Sequence, residues 1–167
     1  MKSIVFLCLV MFSVNASAQW DSLWLNESGR LELEEVVAVD SVGAPQLYLR
    51  AKEWVKQRFK DSRDVISDDQ PSQNFITING VYPKEYHYWG FRLSIYCRDG
   101  RYKMVFHGLT SNSSAPVRSI PIEEALWGKG MPRYRAKWRD DVLQDINSTA
   151  TSLKKAMMKP ATVEKDW

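Results

Sequence analysis

The chain has 167 residues, with 23 Lys and Arg against 20 Asp and Glu, a formal charge of +3. That length suits one domain with an adequate core. So small a charge, with no block of like charges, excludes a polyanion-binding tail and gives no argument for a nucleic-acid partner.

Met1-Lys2 is a short positive start, Ile4 to Val14 is an apolar run broken only by Ser13, and Ala16-Ser17-Ala18 fits a small-x-small cleavage site. This pattern predicts a signal peptide over residues 1–18, cleaved before Gln19, and a periplasmic or secreted protein with no transmembrane span after cleavage. The competing reading is an uncleaved anchor, for which the apolar run is short. Cleavage leaves Cys97 as the only cysteine, so no internal disulfide forms and the thiol is safest buried.

Residues 19–30 form a polar leader, either frayed or docked by Trp20 and Trp24. Leu31 to Asp40 reads as a strand, with Leu31, Leu33, Val37 and Val39 on one parity and Glu32 and Glu34 on the other. Glu35 breaks the pattern and is expected to mark a bulge or a strand end. A turn over Ser41 to Pro45 leads into a helix from Pro45 to Lys60. Its stripe is Leu47, Tyr48, Ala51, Trp54, Val55 and Phe59. A short strand is expected over Asp64 to Ser67, a loop over Asp68 to Gln73, and a strand from Phe75 to Asn79 ended by Gly80. Val81 to Trp89 is expected to be a loop.

Phe91 to His107 is the strongest local signal. Two alternating runs flank Asp99-Gly100, the signature of a two-residue hairpin whose turn residues both tolerate positive φ. The implied register sets Arg98 opposite Arg101, Cys97 opposite Tyr102, Ile95 opposite Met104 and Leu93 opposite Phe106. One face is then apolar, and the other carries Arg92, Ser94, Tyr96, Arg98, Arg101, Lys103, Val105 and His107. A polar loop follows over Thr110 to Pro116. Ser119 to Arg135 is expected to be irregular, with a helical turn near Glu123 to Leu126. A second long helix runs from Trp138 to Met158 on Trp138, Val142, Ile146, Ala150, Leu153 and Met157, and Pro160 ends it. Residues 31–158 therefore read as one two-layer α+β domain, β-α-β-β-β-α, with both long helices on the apolar face of an antiparallel sheet. Residues 159–167 are a tail.

Several phrases carry a resemblance. They are Val36-Val37, Leu47-Tyr48 through Ala51-Lys-Glu-Trp54 to Phe59, Asp64-Val-Ile66, Ile78-Asn-Gly80, and Leu93-Ser-Ile95-Tyr-Cys-Arg-Asp99-Gly100-Arg101-Tyr102. Over roughly Leu31 to Met158 the chain resembles a family of exported Bacteroidetes proteins, a domain of unknown function with a fold like the TATA-box-binding protein. The resemblance implies a curved antiparallel sheet backed by two helices. It carries over no catalytic residue, and fold likeness to a DNA-binding protein is analogy.

The two histidines, His87 and His107, and one mature cysteine make no zinc pattern, and neither a phosphate loop nor a nucleophile elbow is present. No cofactor or metal is expected. The acid pairs Asp68-Asp69 and Glu123-Glu124 are the carboxylates an envelope-glycan hydrolase would use. Two binding candidates stand beside them. One is the polar hairpin face with Arg92, Tyr96, Arg98, Arg101, Lys103 and His107, which is plain solvated sheet if Glu32 and Glu34 neutralise it. The other is the aromatic insert with Tyr82, Tyr86, Tyr88 and Trp89, which either grips a partner or folds onto the core. The leading reading is a non-catalytic exported module that binds an envelope protein or ligand, with no nucleic-acid partner.

Overall fold

The computed structural model describes residues 20–59, 62–84, 87–114, 117–129 and 132–159. The expected signal peptide over residues 1–18, its cleavage point, Tyr86 and most of the C-terminal tail lie outside them. The elements are β1 (Leu33–Ala38), α1 (Ala44–Arg58), α2 (Ser62–Val65), β2 (Ile66–Gln70), a 3₁₀ turn, β3 (Phe75–Pro83), β4 (His87–Arg98), β5 (Arg101–Ser114), β6 (Val117–Pro121), α3 (Ile122–Trp127) and α4 (Pro132–Met157). All strand pairs are antiparallel, in the order β1-β5-β4-β3-β2, with β6 pairing the far half of β5.

The hairpin takes the register that its polarity demands, from Arg92 opposite His107 to Arg98 opposite Arg101. Only Gly100 of the two turn residues has positive φ, 74°. Asp99 is instead a capping group. Its Oδ1 accepts the Ala44 N–H at 2.8 Å, satisfying a free donor at the start of α1, where no side chain of the preceding loop caps the helix. The turn is thus tied to the helix, and Gly100 also donates to the Val42 carbonyl at 2.9 Å.

One sheet face holds the core. Leu93, Ile95, Met104 and Phe106 are fully buried with Ile76 and Ile78, under Leu47, Trp54 and Val55 of α1 and Val142, Ile146 and Leu153 of α4. The leader is docked there too. Trp20 meets Phe106 edge to face at 5.9 Å, and the Asn147 side chain both accepts from its N–H and donates to its carbonyl. Trp24 remains exposed.

Glu35 marks neither a bulge nor a strand end. The pairing of β1 with β5 is continuous, and Glu35 points to the core side, where the Lys154 ammonium of α4 lies 2.8 Å from its carboxylate. Residues 62–65 are a helical turn, and strand β2 begins only at Ile66 and includes Asp68 and Asp69. Gly80 does not end its strand: β3 runs on to Pro83, because Phe91 lays its ring across that glycine and stacks on Tyr82 at 4.5 Å. A glycine in a strand often admits such a close approach. Val81–Pro83 and His87–Trp89, within the segment expected as a loop, therefore belong to the outer part of the β3–β4 pair. The Thr/Ser/Asn run after Leu109 is strand rather than loop, since pairing with β4 and β6 outweighs the weak local preference. Helix α4 starts at Pro132, six residues before the apolar stripe becomes legible.

Candidate functional site

Among the described residues, the other face of the sheet carries no helix. Its side chains form rows across the strands. Asn79, Arg92 and His107 make one row; Thr77, Ser94, Val105 and Glu34 make the next; Phe75, Tyr96, Lys103 and Val36 make a third; Arg98 and Arg101 close the hairpin end. Thr77, Ser94 and Val105 are buried even though this face is open, as short side chains flanked by longer ones in the rows on either side.

The rows are internally bonded. Thr77 Oγ1 and Ser94 Oγ are 2.9 Å apart, and Ser94 Oγ lies 2.9 Å from His107 Nε2. Burial, and then the Arg92 charge opposite, press the His107 pKa below its ordinary value, while Glu32 acts the other way. A neutral ring that accepts from Ser94 fits this setting. Arg92 donates through Nε to Asn79 Oδ1 at 3.2 Å. In the third row the Tyr96 ring stacks on Phe75 at 4.6 Å, and the Lys103 ammonium lies over it, 5.4 Å from the ring centre. Tyr96 thus touches both of its row neighbours and remains exposed.

The charge balance is uneven. Lys103 lies 3.4 Å from Glu34, the neutralisation expected of a solvated face, and both side chains are exposed. Such a pair is worth little. Arg98 and Arg101 stand directly opposite each other, exposed, with no carboxylate partner among the described residues. Like charges across a strand pair are destabilising unless something neutralises them. Around them lies a groove of about 830 Å³ that runs across the strands, from Val36 over Lys103 and Tyr96 to Phe75, Gln70 and Gln73.

The described residues of the aromatic insert do not form a platform. Trp89 is fully buried and meets Trp138 edge to face at 6.0 Å; Tyr82 is buried and donates to Thr149 Oγ1 at 2.9 Å. Tyr88 alone of its described members is exposed.

The candidate acids are not brought together. Asp69, on edge strand β2, is bound by Tyr48 and by Lys52, whose ammonium is 2.6 Å away. Desolvation raises its pKa, but these two hydrogen bonds outweigh it and hold the carboxyl below its usual range. Asp68 accepts from Gln70. At the opposite side of the sheet Glu123 accepts the Leu31 N–H at 2.7 Å, and Glu124 pairs with Arg118 at 3.5 Å. Among the described residues no group of His, Cys, Asp or Glu is placed to hold a metal ion.

Phe75, Gln70 and Gln73 are among the groove residues that sequence reasoning missed. They reach the site only through the pairing of β2 with β3 and of β3 with β4. The lone signal was the aromatic residue opening the β3 strand.

An open six-stranded antiparallel sheet backed on one face by helices defines an α+β protein of the TBP-like kind. Residues 34–111, from β1 into β5, match the family described as a domain of unknown function (DUF4468) with TBP-like fold. Two solved structures share the architecture. A TBP-like protein from Parabacteroides distasonis superposes with a TM-score of 0.70 at 8% identity, covering 81% of this chain and 97% of its own. A DUF4468 family protein from Bacteroides ovatus gives 0.65 at 14% identity, covering 82% and 91%. No curated protein matches the sequence. At such identities the likeness concerns the fold alone.

Proposed function

We propose that this is an exported, non-catalytic binding module whose working surface is the helix-free face of the sheet. The observation that carries the reading is the exposed basic row on that face, where Arg98 and Arg101 oppose each other without a carboxylate partner among the described residues. A face kept only for solubility has no use for a like-charge pair that strains its own hairpin. Export is supported by the positive start, apolar run and Ala16-Ser17-Ala18 site. No described helix is long and apolar enough to cross a membrane. A binding role is favoured over hydrolysis because each candidate carboxylate already serves a structural contact.

The test has two arms. N-terminal sequencing of the protein recovered from the cell envelope should begin at Gln19; a chain retaining residues 1–18 refutes export by cleavage. The chain from Gln19 and its Arg92→Glu/Arg98→Glu/Arg101→Glu variant are then immobilised and exposed to envelope extract. The reading requires a component held by the first and lost by the second. Equal retention by both, or none by either, removes the open face as the working surface.

A further inference from the structure

We infer that the groove at the hairpin end of the open face is a binding site for a carboxylate-bearing saccharide chain. The inference rests on the proposed binding role of this face and names its ligand class.

The cationic end of the groove selects charge. Arg98 and Arg101 project side by side, and a guanidinium pairs best with a planar oxyanion, which a carboxylate supplies in bidentate fashion. A bound anion between them would remove the cross-strand repulsion, so binding and hairpin stability reinforce each other. Lys103 adds a third positive charge, already shared with Glu34 on the rim. That pairing leaves the two arginines as the charge-selecting end of the groove.

The remaining walls separate saccharide from peptide. The groove crosses the strands. The segments of β3, β4 and β5 beneath it are paired with neighbours on both sides. A peptide lying across them finds no free backbone N–H or C=O to satisfy its own, and strand addition works only at an edge. A saccharide needs no such ladder. Its hydroxyls are served by side-chain amides and hydroxyls, here Gln70, Gln73 and Tyr96, while Val36 and Phe75 offer apolar contact to ring carbons. Tyr96, in contact with Phe75 and Lys103 and still exposed, also presents its hydroxyl to the groove.

The experiment is an NMR titration of the ¹⁵N-labelled chain from Gln19 with tetragalacturonate, maltotetraose and tetraglutamate, at low and high salt. Tetragalacturonate is expected to shift resonances of Gln73, Phe75, Tyr96, Arg98 and Arg101, to bind more weakly at high salt, and to lose roughly tenfold or more in affinity on Arg98→Gln or Arg101→Gln. Both arginines are exposed, so thermal melting of these variants should match or exceed the parent, which separates lost binding from lost fold. Maltotetraose should leave these resonances unmoved. Three results overturn the inference: no shift with tetragalacturonate, equal binding of the neutral sugar, or tetraglutamate binding as tightly at the same residues. Any of these leaves the proposed open-face function standing if the triple arginine variant still loses its envelope component. Loss of that dependence is the separate failure of the functional reading.

Discussion

The ion pair between Glu35 and Lys154 gives the sharpest test of how the helical layer is fastened to the sheet. The two side chains are 19% and 9% exposed, and Glu35 Oε2 has no hydrogen-bond partner among the described residues. Breaking a fully buried pair by removing one partner costs about 3–5 kcal/mol, whereas an exposed pair is worth about 0–1 kcal/mol. These exposures place the contact near the buried limit. Lys154→Met keeps the aliphatic stem and strips the charge that compensates Glu35, so it should cost about 3 kcal/mol. Glu35→Leu removes the carboxylate from the same contact and should also destabilise the fold. The double variant puts two apolar side chains where the charges met, and should lie within about 1 kcal/mol of the parent, since well-packed apolar replacements of buried pairs are often neutral. Urea unfolding of the four proteins at neutral pH measures the cycle. Single variants that each cost less than about 1 kcal/mol, or a double variant equal to the sum of the singles, would refute the claim that this pair holds α4 against β1.

Other predictions concern the core, a close approach and two titratable groups. Leu93→Ala, at a fully buried core position, should lower stability by about 3–5 kcal/mol in the same assay; a loss below about 1 kcal/mol would mean that the core does not centre on the hairpin. Gly80→Ala should cost about 1–3 kcal/mol, because the new methyl overlaps the Phe91 ring, and Phe91→Leu should recover part of it; additive losses would contradict the overlap. The folded-state pKa of His107 is lowered from 6.5, so its contribution to stability is present above that pH and is lost as pH falls through the folded value. His107→Gln should flatten the stability profile just below about pH 6.5, and an unchanged profile would show that the ring gains nothing from being neutral beside Arg92. The Cys97 thiol, 5% exposed and pushed by burial up to about 12, should not react with a thiol reagent in the native state at neutral pH; rapid labelling would place it on the surface.

Much of the fold was legible because its signals are local. The alternation around Asp99-Gly100 admits one register that keeps Leu93, Ile95, Met104 and Phe106 on one side, and a slip by one residue would expose all four. The stripes of α1 and α4 repeat at helical spacing for the same reason: each must bury one face. The basic row on the opposite face came with that register, as its unavoidable other half. What the sequence alone left open depends on contacts between residues far apart in the chain. Glu35 looks like a break until Lys154, more than a hundred residues later, lies against it. Gly80 looks like a stop until the Phe91 ring needs its missing side chain. The Tyr82–Trp89 segment resembles an aromatic platform until Thr149 and Trp138 receive two of its rings. The groove belongs to the same class. Arg98 and Arg101 are neighbours by hairpin pairing, but Phe75, Gln70 and Gln73 join them only because β3 pairs with β4 and β2 with β3. A two-residue period fixes which way a side chain points; which distant side chain it meets is decided by how strands and helices pack, and that cannot be read from either segment alone.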